Sequence, residues 1–210
     1  MARMRGLNEA ANNFSDPRHM DAWDHAMNWK IEGVSARGVL AEQYAWAIPS
    51  PDALAAIADF ARDCGIIEVG AGTGYWAALL RDLGVDVLAY DAFPPGREGV
   101  TNPYRHRQSY VPVHHWEDQR ASVALEMERT RALMLCWPCY SEDWAWRTLR
   151  AYLDVGGQRV IYIGEGEWGC NATEAFFATL RTRFKTPIYA PIPSWPGIHD
   201  GVELYERKRR

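Results

Sequence analysis

Beyond residue 65 the chain alternates short apolar runs with stretches whose apolar residues recur at helical spacing. The runs at 66–69, 85–90, 110–113, 132–136, 159–163, 187–190 and 202–205 read as seven strands. Helical periodicity falls near 75–83, 117–130, 141–153 and 172–182. Strand and helix in alternation imply crossover connections and a mostly parallel sheet with helices on both faces. The last two strands are joined by PIPSWPGIHD, which has no helical pattern, so a hairpin-like return makes the last strand antiparallel. The expected fold class is therefore α/β. Ahead of it, residues 19–30 and 36–47 form helix-like stretches, and Pro49 ends the second. Ser50 then suits an N-cap, Pro51 the first helical position, and PDALAAIADFARDC carries a helical pattern. The chain is thus expected to divide into an N-terminal helical extension, 1–48, which is also a candidate lid, and a main α/β domain, 49–210.

Composition narrows the class. At 210 residues, 48% hydrophobic and 24% charged, the chain buries roughly 70% of its unfolded surface and needs no disulfides or metals to fold. Its apolar runs fall short of the roughly 20 residues of a membrane span. The opening MARMRGLNEAANNF lacks an apolar h-region, so a cytoplasmic protein with no membrane partner is expected. The net charge is −4, and basic residues concentrate only in MARMR and ERKRR. This argues against nucleic acid as a partner. The unusual component is tryptophan, with ten copies. Trp76, Trp116, Trp137, Trp168 and Trp195 fall after strands or in loops at the expected ligand edge, where ring faces would suit a cationic or aromatic group.

The candidate chemistry begins with IIEVGAGTGYWAALLRDLGVDVLAYD, residues 66–91. A strand runs directly into Gly70, Gly72 and Gly74, followed by a helix. Glycines there let the backbone turn tightly and a ligand approach closely, and the helix start offers free N–H groups. A dinucleotide fingerprint would place glycine or alanine where Tyr75 stands, and no lysine follows for a triphosphate loop. The pattern is instead E-x-G-x-G-x-G from Glu68, with Asp91 ending the next strand, positioned for ribose hydroxyls.

These residues resemble motif I of the class I S-adenosylmethionine-dependent methyltransferases. EVGAGTG matches it in full, and Asp91 matches the family's acidic ribose position. The resemblance spans roughly residues 50–206. It implies a seven-stranded Rossmann-like sheet with the last strand antiparallel and S-adenosyl-L-methionine as cofactor. Gly70, Gly72 and Gly74 would hold the methionine part, with Glu68 orienting the loop and the amino group. It also implies cofactor contacts at Cys136 and, beside the adenine, at one of the adjacent His114 and His115, with His115 the candidate.

LMLCWPCYSEDW, residues 133–144, follows the fourth strand. Cys136-Trp-Pro-Cys139 has redox spacing but stands in the wrong unit for a thioredoxin fold, and a single pair does not make a zinc site, so no metal is expected. In the family this position lies beside the transferred methyl. Trp137-Pro-Cys-Tyr140 resembles the D/N/S-P-P-Y/F/W tetrapeptide of amino-directed members in its Pro and Tyr. Trp137 replaces the acceptor-bearing Asp or Asn, which argues against transfer to exocyclic adenine nitrogen. Tyr140 can supply a ring face or hydroxyl. Glu165, in GEGEWGCN after the fifth strand, can take a proton or hold an amine, and His199 in the last loop is a candidate base. The expected function is methylation of a small molecule or peptide, on N or O. The alternative is a methyltransferase-like scaffold that binds cofactor without catalysis.

Overall fold

The computed structural model describes residues 30–31, 34–98, 108–117 and 121–209. Two short strands, β1 (Lys30–Ile31) and β2 (Val34–Ser35), pair antiparallel and lead into α1 (Ala36–Gln43). The expected helix at 19–30 lies outside the described residues except for Lys30, which opens β1. The second expected helix stops at Gln43 rather than running to 47. The carbonyls of Tyr44, Trp46 and Ala47 are bonded by the side chains of Thr73, Trp195 and Trp76 instead of by the next helical turn.

The main sheet has seven strands in the order β5-β4-β3-β6-β7-β9-β8. These are β3 (Ile66–Val69), β4 (Val87–Asp91), β5 (Val113–His115), β6 (Ala132–Cys136), β7 (Arg159–Gly164), β8 (Ile188–Pro191) and β9 (Gly201–Glu206). The pairs among β5, β4, β3, β6 and β7 are parallel, while β9 runs antiparallel to both β7 and β8. That is the expected α/β sheet with its last strand reversed. The helices are α2 (Pro51–Phe60), α3 (Tyr75–Asp82), α4 (Ala121–Met127), α5 (Trp144–Asp154) and α6 (Glu174–Arg183).

Alternation along β3 divides the core. Ile66 faces a layer with Leu54 and Ile57 of α2 and Trp76 and Leu80 of α3, whereas Ile67 and Val69 face Leu125, Leu149, Tyr152 and Phe176 of α4 to α6. Helices thus cover both faces, as a parallel sheet requires. The start of α2 follows the sequence signals: the Ser50 hydroxyl accepts the Ala53 N–H at 3.3 Å and Pro51 is the first helical residue. Two strand boundaries moved for local reasons. Val85 is not in β4, because its N–H closes α3 onto the Leu80 carbonyl at 3.0 Å across Gly84. The third strand begins at Val113 instead of Tyr110, because the Tyr110 N–H bonds the Thr73 carbonyl at 2.8 Å and so dresses the glycine turn.

The chain leaves β3 toward β4 on one side and β6 lies on the other, so the strand order reverses between β3 and β6. Ligands in open α/β sheets bind in the crevice at the carboxyl ends of such strands. Among the described residues no helix is long and apolar enough to cross a membrane.

Candidate active site

A cavity of about 550 Å³ opens at that crevice. Its floor is the turn from β3 into α3, where Gly70, Gly72 and Gly74 all have left-handed backbone, with φ of 79°, 56° and 71°. The side chains around the turn also demand glycine. A Cβ on Gly70 would stand 2.7 Å from Cη2 of Trp144, and one on Gly74 would stand 2.7 Å from Val111 Cγ2. The first turn of α3 presents its amino end here.

Asp91 ends β4 at the edge of the cavity. Its Oδ2 accepts the Gly72 N–H at 2.8 Å and its Oδ1 accepts the Phe93 N–H at 2.7 Å. Each oxygen keeps a lone pair for a further donor. Trp116 stands beside it, buried, with its indole N–H unbonded. Glu68 lies beneath the turn, 1% exposed, with Oε2 buried and unbonded. Burial, reinforced by the Asp91 charge, pushes its carboxyl up to about 8. An uncharged or unpaired carboxyl beneath an anion-seeking turn is costly unless a donor meets it.

The opposite wall comes from the loop after β6. Cys136 is packed beside Glu68 and Asp200, and burial raises its thiol well above the usual range. This opposes the thiolate that a redox C-x-x-C needs, and no disulfide joins Cys136 to Cys139. Trp137 has a left-handed backbone, φ 52°, which turns its ring onto that of Trp46, with centroids 5.3 Å apart and planes at 17°. Its indole N–H donates to Asp200 Oδ1 at 2.8 Å. Tyr140, 66% exposed, lines the mouth with Cys139, Ser141 and Glu142.

Trp46 lines the cavity from the segment Tyr44 to Ala47, which three side chains fasten. The Thr73 hydroxyl donates to the Tyr44 carbonyl, the Trp76 indole to Ala47 at 3.3 Å, and the Trp195 indole to Trp46 at 3.2 Å. Tyr44, Tyr75 and Tyr110 form a ring cluster at its start.

The family-model comparison matches a methyltransferase domain over residues 41–157, more than half of the chain. The chain belongs to the methyltransferase family. Its motif I and reversed last strand place it in class I, the S-adenosylmethionine-dependent enzymes. Solved structures of similar fold include the N-terminal domain of EvdMO1 with SAH bound, at 15% identity, covering 92% of this chain and 98% of that one with a TM-score of 0.51. The O-methyltransferase from Bacillus cereus in complex with SAH is similar at 11% identity, covering 81% of this chain and 87% of that one with a TM-score of 0.50. No curated protein matches the sequence.

The methyltransferase site has the chemistry its cofactor requires: a glycine cradle, an acidic residue ending β4, and in Glu68 an orphaned buried acceptor. Of the expected residues, Gly70, Gly72, Asp91, Cys136 and Tyr140 line the cavity, and Gly74 and Glu68 stand directly behind its floor. His115 lies elsewhere. It lines a smaller cavity with Tyr90, Glu117 and Glu128, separated from the first by Trp116, and its Nδ1 lies 3.3 Å from Glu117.

Glu165 and His199 come together, but behind the cavity wall. Glu165 Oε2 accepts the Cys170 N–H at 2.9 Å and Oε1 accepts the His199 N–H at 2.9 Å. Burial resists ionisation of Glu165, yet the bonds from Cys170 and His199 outweigh it and hold the carboxyl below its usual value. The His199 side chain is 88% exposed. Of the tryptophans expected at this edge, Trp116 and Trp137 line the cavity, Trp76 and Trp195 are buried and bonded to the segment Tyr44 to Ala47, and Trp168 is 95% exposed.

Sequence reasoning did not single out Trp144, Arg147, Phe93 or Glu142 as lining residues. The available signal was WAWR at the start of α5, where Trp144 and Arg147 share one helix face at i, i+3.

Proposed function

We propose that this methyltransferase acts on a small-molecule or peptide acceptor seated against Trp137 and Tyr140. The observation that carries the reading is the cavity itself. It is a concave site with Trp46, Trp116, Trp137 and Trp144 in its wall beside the glycine turn, the aromatic lining typical of small-ligand sites. A macromolecular acceptor would call for an open face instead.

S-adenosylmethionine supplies an electrophilic methyl on a sulfonium. The protein's work is binding, alignment and exclusion of water, which together are worth roughly 7–11 kcal/mol in well-oriented reactions. In this reading Gly70, Gly72 and Gly74 bind the amino-acid part. Glu68 meets its ammonium, directly or through water, and Asp91 offers its remaining lone pairs to the ribose. Cys136 walls the methionine side, while His115 acts from behind Trp116. Tyr140 presents its ring or hydroxyl to the acceptor. Glu165 positions the Cys170 loop, which lines the cavity, and holds the His199 backbone N–H; His199 serves as base only for an acceptor that reaches past the cavity wall to its exposed ring.

The test is release of S-adenosylhomocysteine from S-adenosylmethionine with separate panels of small molecules, peptides and nucleic acids. Turnover is expected with members of the first two. Turnover confined to nucleic acid would overturn the acceptor reading.

A further inference from the structure

Among the described residues, Arg37 and Asp200 keep three buried polar atoms without a partner, close to the stacked rings of Trp46 and Trp137. Arg37, on α1, holds its guanidinium 4.7 Å from the centroid of Trp137 and 5.2 Å from that of Trp46. A guanidinium laid on aromatic faces keeps its in-plane donors for other partners. Arg37 Nε and Nη2 are both buried and unbonded. These two nitrogens form one edge of the group, the side-on fork that matches the two oxygens of a carboxylate. The third atom is Asp200 Oδ2, buried and unbonded while Oδ1 holds the Trp137 indole.

Opposite charges left unsatisfied next to one another are costly, and neither group has found the other within ion-pair distance. The Arg37 charge nevertheless acts on both Asp200 and Cys170. Trp46, Trp137 and Cys170 line the cavity, so the rings that Arg37 and Asp200 touch border the same space as the glycine turn, with Arg37 and Asp200 behind them. They do so from the far side. Asp200 leads into β9, three strands along from β3 in the sheet order, or about 14 Å at the usual strand spacing. Asp91 and β4 lie in the other direction.

We propose that Arg37, Asp200, Trp46 and Trp137 form an acceptor subsite for a carboxylate flanked by a hydroxyl or amine. The Arg37 edge takes the carboxylate, Asp200 Oδ2 takes the neighbouring donor, and the ring pair takes an apolar or aromatic body. A phosphate suits the site less well, because Asp200 and Glu165 would repel a dianion. The proposal rests on the small-molecule reading above and names the acceptor's class.

The test uses the full chain saturated with S-adenosylhomocysteine. Calorimetric titration with 2-hydroxybenzoate is compared with titration by 2-hydroxybenzamide, which has the same shape without the charge. The acid is expected to bind at least tenfold more tightly. Arg37→Gln should abolish that preference while S-adenosylhomocysteine affinity stays within twofold, and Arg37→Lys, which keeps the charge but loses the fork, should retain only part of it. Asp200→Asn should weaken 2-hydroxybenzoate more than benzoate.

Equal binding of acid and amide, no binding of the acid, or an unchanged preference in both Arg37 variants would overturn the proposal. A parallel loss of S-adenosylhomocysteine affinity in the Arg37 variants would also overturn it, assigning the fork to the cofactor. Failure of the wild-type chain to bind S-adenosylhomocysteine at all would instead remove the underlying methyltransferase site.

Discussion

Asp91 holds the glycine turn from the neighbouring strand, with its carboxylate taking the Gly72 N–H at 2.8 Å. The group placed for the ribose is therefore also a brace for the loop beneath the methionine. Asp91→Ala should lower S-adenosylhomocysteine affinity by at least tenfold in calorimetry and cost about 1–3 kcal/mol of stability, since two backbone donors lose their acceptor. Asp91→Asn, which keeps one oxygen, should fall between. An unchanged affinity in the alanine variant would sink the ribose assignment.

Glu68 sets a pH dependence of known sign. Its carboxyl stands at about 8 when folded against 4.5 as the ordinary value. Between those values the folded chain keeps a proton that the unfolded chain has released, so stability falls as pH rises through the window. The contribution is at most about 5 kcal/mol. Glu68→Gln should flatten this part of the curve in denaturant melts at pH 5 and pH 8. Pairing of Glu68 with the cofactor's ammonium should also release up to one proton on binding near neutral pH, visible as a buffer-dependent binding enthalpy.

Gly70 is closed to side chains twice over, by its φ of 79° and by the Trp144 ring, which would lie 2.7 Å from any Cβ placed there. Gly70→Ala should cost about 1–3 kcal/mol and weaken cofactor binding. Trp144→Leu in the same chain should recover part of the stability, because it relieves the collision and leaves the backbone strain.

Much of this was legible along the chain. Buried alternation in β3 and the cap at Ser50 follow local rules, so the sheet and helices emerged with small shifts. At Tyr110 the shift came where a long-range bond outbid local pattern, its N–H going to Thr73, and at Val85 from the local bond that closes α3. The glycine turn was legible because its spacing carries its own chemistry. Arg37 was not, because its meaning depends on Trp46, Trp137 and Asp200, which stand up to 163 positions away in sequence. Glu165 and His199 were each legible as polar groups at the sheet edge, whereas the bonds that tie Glu165 to His199 and to the Cys170 loop, away from the cavity, were not.

Tyr140 offers a cleaner test of chemistry against packing. It is exposed at the mouth, so neither Tyr140→Phe nor Tyr140→Ala should shift the melting midpoint appreciably. With an identified acceptor, the alanine variant should lower kcat/KM by at least tenfold. A comparable loss in the phenylalanine variant would assign the effect to the hydroxyl, and its absence would assign it to the ring face.

The segment that carries Trp46 is fastened at Tyr44 and Ala47 by Thr73 and Trp76 of the cofactor half, and at Trp46 by Trp195 from the loop before β9. The two halves of the site therefore share one clasp. A change that loosens the segment at any one of these bonds would therefore disturb both the glycine turn and the Trp46–Trp137 wall, so neither half of the site can be altered here without the other.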